Sequence, residues 1–234
     1  MTQHRLPFGN NWGGRRKGAG RKPKGERALN PRSRRPDFQA DQPVHVTLRI
    51  AEGLPSLRRP LAFEAVESAL AGANAKGLVR VVHYSVQSNH VHLIVEAKDQ
   101  GALSRGMQAL NSLWARALNR LWGRKGSLLA ERYFALLIKR PIVLHNTLTY
   151  VLNNAVRHGV NLGRGKIDPY SSGRWFRGWA GAWTEGEGWS DPYADAPTFD
   201  PEYWLLRVGW KRHGPISLKT SVASLLASAR RLAG

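Results

Sequence analysis

Apolar residues follow a strand-like spacing in some segments and a helix-like spacing in others. The order of these segments along the chain is the feature that most constrains the fold. Apolar residues alternate with polar ones from Val44 to Ile50, which is the period of a half-buried strand, whereas Leu103, Met107 and Leu110 have the spacing of a helix. The predicted elements are a strand at 43–50, a helix at 61–75, hairpin strands at 78–86 and 90–95, a helix at 101–122, a strand at 133–139 and a helix at 141–158. The first six, in the order βαββαβ, predict a ferredoxin-like α+β sandwich with an antiparallel sheet, in which the first and third strands are the inner neighbours. The seventh is an added helix.

The chain is strongly basic. It has 36 Lys and Arg residues against 16 Asp and Glu residues, a formal charge of +20 over 234 residues, which favours nucleic acid as the partner. The absence of cysteine excludes disulfides, Cys-ligated metal sites and a thiol nucleophile. No apolar run approaches the ~20 residues of a membrane helix, and the N-terminus lacks the apolar region of a signal peptide. We therefore expect a cytoplasmic protein without a membrane partner.

Residues 1–40 have a different composition from the rest of the chain. They contain 11 basic and 2 acidic residues among scattered glycines and prolines, so we expect a flexible, disordered basic tail. Within it, the segment 20–25 resembles an AT-hook, which would place Arg21, Lys22 and Lys24 in a DNA minor groove. The alternative is a solvated basic arm that binds any polyanion through counterion release.

Chemically useful side chains concentrate on the third strand and the added helix. His90 and His92 are two residues apart on a strand, so both imidazoles project from one face and form half of a metal site. Tyr150 and Asn154 are four residues apart on a helix and share a face, with Arg157 a turn further along. A divalent ion that polarises a phosphate and a phenol that attacks it would suffice for phosphoryl transfer.

Two motifs resemble those of a known family. The stretch Ser88 to Val95 resembles the strand signature of the single-tyrosine HUH transposases. Tyr150 to Gly159 resembles the Tyr-x-x-x-Asn-Pro-Val-Arg-x-Gly helix of the REP-associated tyrosine transposases, with Ala155 in place of the usual proline. The segments at 45–49 and 126–134 are similar to the family as well, and the resemblance spans about residues 43–176.

The resemblance implies metal-dependent cleavage and strand transfer of single-stranded DNA at hairpin-forming palindromic repeats, in DNA transposition. Tyr150 would be the nucleophile of a covalent 5′-phosphotyrosine intermediate. His90, His92 and Asn154 would hold Mg²⁺ or Mn²⁺, although related insertion-sequence enzymes have Gln at the last position, and His45 is a further neighbour. The DNA contacts predicted beyond the tail are Arg105, Arg116, Arg120, Arg124, Lys125, Arg132 and Arg157.

Two other functions are compatible with the same motifs. One is a non-catalytic regulator that binds repeat DNA. The other is an HUH replication or mobilisation initiator, which is disfavoured because those relaxases commonly place the tyrosine before the histidine motif. By the resemblance we expect a monomer associated with the nucleoid.

The resemblance also divides the chain. Residues 41–165 would be the catalytic domain and residues 166–234 a C-terminal extension, which holds six of the nine tryptophans. These rings would either form a lid that stacks on bases or wrap around the catalytic domain and pack on it. Residues 218–232 have the spacing of a terminal amphipathic helix.

Overall fold

A computed structural model of the chain describes residues 38, 42–78, 80–157, 160, 162, 166–180 and 196–218, with Arg157 described in its backbone alone. The elements are β1 (Val44–Arg49), α1 (Pro60–Ala75), β2 (Arg80–Val86), β3 (His90–Glu96), α2 (Gln100–Leu121), β4 (Phe134–Leu137), α3 (Pro141–Leu152), α4 (Asn154–Arg157) and α5 (Trp204–Arg207). Two 3₁₀ helices lie at Ser172–Trp175 and Gly209–His213. In the described ranges, no helix is long and apolar enough to cross a membrane. The predicted N-terminal tail, apart from Phe38, and the predicted terminal helix beyond Leu218 lie outside the described residues.

The four strands form one antiparallel sheet in the order β2-β3-β1-β4. The first and third strands are therefore the inner neighbours, and the ferredoxin-like α+β prediction is confirmed. β4 is shorter than the predicted strand at 133–139. Its ladder with β1 ends where Ile138 N–H donates to the carbonyl of Pro43, because proline has no N–H with which to continue the pairing.

α1 and α2 pack on one face of the sheet. Apolar residues at helical spacing on both helices meet the inward-facing valines and leucines of β1 and β3 in one buried cluster. The Trp114 indole N–H crosses between the helices and donates to the Val66 carbonyl at 3.0 Å. Asp99 Oδ1 caps α2 by accepting from Ala102 N–H at 2.7 Å, and Gly123 follows the helix with a φ of 59°.

The opposite face of the sheet is partly covered by α3 and the C-terminal extension. A second buried cluster joins Val82 and Ile94 of the sheet to α3, and the extension adds Phe176 and Trp210 to it. The Trp210 ring packs on the domain, as one of the two alternatives for the tryptophan-rich segment predicts, whereas Trp204 is 46% exposed. Trp183 and Trp189 lie outside the described residues.

The single helix predicted at 141–158 is wrong, because the structure divides it. α3 ends at Leu152, Asn153 has φ −101° and ψ 13°, and α4 starts at Asn154. The Asn153 side-chain Nδ2 donates to the carbonyl of Thr149 at 3.1 Å and to that of Ser217 at 3.4 Å. Asn side chains compete in this way with helical hydrogen bonding, which accounts for the break.

Residues 168–172 cover the outer edge of β2. Tyr170 carbonyl accepts from Val86 N–H at 2.8 Å, and the Ser172 hydroxyl accepts from Tyr84 N–H at 3.0 Å. The segment is anchored by Asp168, whose carboxylate accepts two hydrogen bonds from the Arg58 guanidinium at 2.7 and 2.8 Å. The Asp168 side chain is 1% exposed, so this is a nearly buried ion pair.

Asp168→Asn is expected to lower the free energy of unfolding by about 3 kcal/mol, because it leaves the Arg58 charge without its counter-ion. Glu52→Gln, at an exposed residue, is the matched control and should change the free energy by less than about 0.5 kcal/mol. Urea denaturation measures both. Equal, small changes in the two variants would show that the pair does not anchor the segment.

Candidate active site

The pairing of β1 with β3 brings five polar side chains to one face of the sheet. In the register of this pair, Thr47 lies opposite His92 and Arg49 lies opposite His90, while His45 lies opposite Ile94. His90 and His92 therefore share a face with His45, Thr47 and Arg49, and Val91 and Leu93 point into the core on the other side. The shared face predicted for the two histidines is observed.

His90 and His92 are each hydrogen-bonded to neighbouring side chains through their Nδ1 atom. His92 Nδ1 lies 3.0 Å from His45 Nε2 and 3.1 Å from Thr47 Oγ1. His90 Nδ1 lies 2.8 Å from Asn89 Oδ1, an amide oxygen that accepts. The rings of His90 and His92 are perpendicular, with centroids 4.8 Å apart. Metal-binding histidines are held in the same way, with one nitrogen bonded to a neighbour and the other directed at the ion.

Burial keeps His45 uncharged near neutrality. Removal of the imidazole from water penalises its protonated form, which lowers the pKa of His45 to about 4. A neutral imidazole can both donate and accept a hydrogen bond, so His45 and His92 can be paired through their nitrogens without two like charges meeting.

α3 places Tyr150 against the histidines. The Tyr150 ring centroid lies 5.2 Å from that of His92, nearly perpendicular to it, and 6.0 Å from that of His45. The side chain is half-buried, and the ring also contacts the second apolar cluster. A phenol and a set of imidazoles thus meet although about 60 residues of chain separate them.

Asn154 is buried without hydrogen-bond partners. It is 1% exposed, and within the described part of the chain neither Nδ2 nor Oδ1 of its amide has a partner. The adjacent Asn153 is different, because its amide is bonded to backbone carbonyls. A buried amide without partners costs about 1–3 kcal/mol, so such a group is typical of a place where a ligand completes the bonding.

The side chains of His90, His92 and Asn154 are of the types that hold a divalent metal ion. Among the described residues, no group of three or more His, Cys, Asp or Glu side chains is arranged to hold a metal. Two imidazoles and one carboxamide oxygen remain, and this set suits Mn²⁺, or Mg²⁺ when phosphate oxygens complete the shell. The unbonded amide of Asn154 is the structural observation that favours such an ion.

The structure does not bring the predicted α2 arginines to this face. Arg105, Arg116 and Arg120 are exposed on a helix that packs on the other side of the sheet. Arg124 bonds to Asn119 Oδ1 at 2.6 Å and to the Ser127 carbonyl at 3.1 Å, where it holds the turn after α2. Lys125 and Arg132 are exposed, and their contact with DNA stays a prediction like that of the three helical arginines. The predicted DNA contacts that lie outside the described side chains are Arg21, Lys22, Lys24 and Arg157.

Sequence reasoning missed three residues of the site. It gave Thr47 and Arg49 no role, and Asn89 only a place in a turn. The alternation of β1 puts residues 45, 47 and 49 on one face. Their neighbours across the sheet depend on the register of β1 with β3, which the alternation does not specify.

Comparisons with known proteins agree with this description. The sequence model of a family described as "Transposase IS200 like" matches residues 44–154. Among solved structures, the chain is similar to a REP-associated tyrosine transposase bound to a REP hairpin, with a TM-score of 0.52 and 17% identity over 69% of this chain and 99% of that one. At that identity the likeness concerns the fold. A comparison with curated protein sequences finds no match.

If the Asn154 amide binds a ligand, replacing it should cost little stability in the metal-free protein. Asn154→Leu should lower the unfolding free energy by less than about 1 kcal/mol, because no hydrogen bond is lost. The control is Asn74→Leu, since buried Asn74 accepts from Val81 N–H at 3.1 Å and donates to the Pro197 carbonyl at 2.8 Å. That variant should lose about 2–3 kcal/mol.

Urea denaturation in EDTA compares the two variants. A loss for Asn154→Leu as large as that for Asn74→Leu would mean that Asn154 has a structural role in the metal-free protein.

Proposed function

Because residues 44–154 match the family described as "Transposase IS200 like", we propose that the chain cleaves and rejoins single-stranded DNA. The reaction is DNA strand transfer through a covalent 5′-phosphotyrosine, with a divalent metal as cofactor. The substrate is a palindromic repeat that forms a hairpin. This last point is supported by the structurally similar transposase, which is bound to a REP hairpin, and by the charge of +20.

One observation carries the proposal. The Tyr150 ring lies edge-on to His92, at 5.2 Å between centroids, at the end of the helix that precedes the unbonded amide of Asn154. A nucleophile of the right type therefore lies next to one of the two imidazoles and four residues before the amide. We infer that β3 and the α3–α4 junction together hold the metal ion.

The chemistry assigned to Tyr150 is a reversible transfer. Its phenolic oxygen attacks the scissile phosphorus, the phenol gives up its proton, and the bond from phosphorus to the 3′ oxygen breaks. The departing 3′ oxygen takes up a proton and becomes a free hydroxyl, while the 5′ phosphate stays linked to Tyr150. A 3′ hydroxyl of another strand attacks the phosphotyrosine in the reverse sense and restores the phenol, so no nucleotide is hydrolysed.

His90, His92 and Asn154 would hold Mg²⁺ or Mn²⁺. When bound, such an ion polarises the scissile phosphate and offsets its negative charge. The two imidazoles would bind through Nε2, because Nδ1 of each is bonded to a neighbour. Asn154 would bind through Oδ1.

His45 and Thr47 act as positioning residues in this proposal. Both are bonded to His92 Nδ1, at 3.0 and 3.1 Å, and so fix the plane of its ring. Partners of this kind set the orientation of a metal-binding histidine.

The chain would act as a monomer associated with the nucleoid in the cytoplasm.

The test incubates the full chain with a labelled hairpin repeat that carries a single-stranded flank, in Mn²⁺ or in EDTA. The wild type should form a metal-dependent adduct that survives SDS, and Tyr150→Phe should reduce the adduct at least ~1000-fold, since the nucleophile is gone. The control is Tyr203→Phe. Tyr203 is another half-buried tyrosine, and it lies in the extension next to Glu96 at the end of β3.

A hairpin that binds without adduct or nick, over several repeat sequences and both metals, would contradict the enzymatic proposal. The chain would then be a regulator that binds repeat DNA.

A further inference from the structure

We propose that the exposed side chains of Phe134 and Leu136 form a platform for unpaired bases next to the scissile phosphate. We call this pair the apolar shelf. The inference rests on the proposed function, because it names how that site holds its substrate strand.

The apolar shelf is large and exposed. Phe134 is 49% exposed and Leu136 is 45% exposed, although both belong to a strand of the central sheet. The alternation of β4 turns both side chains to the same face, while Ala135 and Leu137 pack against the first apolar cluster. Exposed apolar side chains that are contiguous on one face are typical of interaction surfaces.

The apolar shelf adjoins the candidate active site. In the register of β1 with β4, Phe134 lies opposite Thr47 and Leu136 lies opposite His45. Side chains that face each other across an antiparallel pair have Cβ atoms roughly 5 Å apart. Thr47 and His45 are both bonded to His92. Strand β1 alone therefore separates the apolar shelf from His90 and His92 on β3.

The sheet face that carries His90 and His92 is covered differently over β2 and β3 than over β1 and β4. Over β2 and β3 lies the second apolar cluster, which contains α3 and the extension, and the outer edge of β2 is paired with Ser171. Over β4 the side chains of Phe134 and Leu136 are exposed within the described part of the chain, and no described strand pairs with the outer edge of β4. We infer that a DNA strand reaches Tyr150 across the apolar shelf.

Exposed cations lie on β1 and next to β4 in the chain. Arg49 lies on the same face as the histidines, opposite His90, and Arg132, Lys139 and Arg140 flank β4 in the chain. Cations that track phosphates, combined with apolar rings on which bases stack, are the general features of single-strand binding sites. The Phe134 ring supplies the stacking surface, and Leu136 extends it.

A second copy of the chain fits this surface less well. β4 has only four residues, and short edge strands are poor templates for pairing between chains. Two copies would also bring together surfaces rich in arginine and lysine on chains of formal charge +20.

The test compares two DNA hairpins with the same stem, one blunt and one with a single-stranded flank, by fluorescence anisotropy with the full chain. Phe134→Ala should weaken binding of the flanked hairpin by roughly 10-fold and that of the blunt hairpin by less than about 2-fold. Phe134→Trp should restore binding of the flanked hairpin. Leu61→Ala is the matched control, because Leu61 is 63% exposed on α1, on the other side of the sheet, and should change neither affinity.

Three results would overturn the inference: unchanged binding of the flanked hairpin by Phe134→Ala, an equal loss on both hairpins, or a change in sedimentation mass without a loss specific to the flank. The last would indicate a second copy as the occupant. If the proposed function is wrong, the result is different. The wild type then forms no covalent adduct, but Phe134→Ala still weakens binding of the flanked hairpin more than that of the blunt hairpin.

Discussion

The register between β1 and β3 is the constraint on which the candidate active site depends. It places Thr47 opposite His92 and His45 beside it, so that both bond to one ring nitrogen. Because side chains alternate along a strand, a slip of one residue would turn all of them to the other face. The buried valines and leucines of both strands oppose that slip, since it would move them into water. The apolar core thus fixes the polar site.

The second constraint is the division of the helix that carries Tyr150. The Asn153 amide bonds back to Thr149, α3 ends there, and Asn154 begins a new turn with its amide buried and unbonded within the described residues. Tyr150 contacts His92 from α3, and Asn154 is the first residue of α4.

The sequence predicted the parts of the structure that depend on periodicity. Alternation predicted the strands and the common face of His90 and His92, and the order of elements predicted that β1 and β3 are neighbours. It did not predict the break at Asn153, whose side chain bonds to the carbonyls of Thr149 and of Ser217, the latter 64 residues away. Nor did it predict the roles proposed for Thr47, Arg49 and Phe134. These roles depend on the register of β1 with β3 and β4 and on the exposure of the Phe134 side chain. Charge alone directed attention to the α2 arginines, which lie on the other side of the sheet.

The proposal depends most on His90, His92 and Asn154 holding a divalent metal ion in the DNA-free protein. The most direct measurement is anomalous diffraction from crystals of the DNA-free protein soaked in Mn²⁺. The account predicts one strong peak between His90, His92 and Asn154, within about 2.5 Å of two ring nitrogens and the amide oxygen. A peak elsewhere, or none at these residues at saturating Mn²⁺, would contradict it.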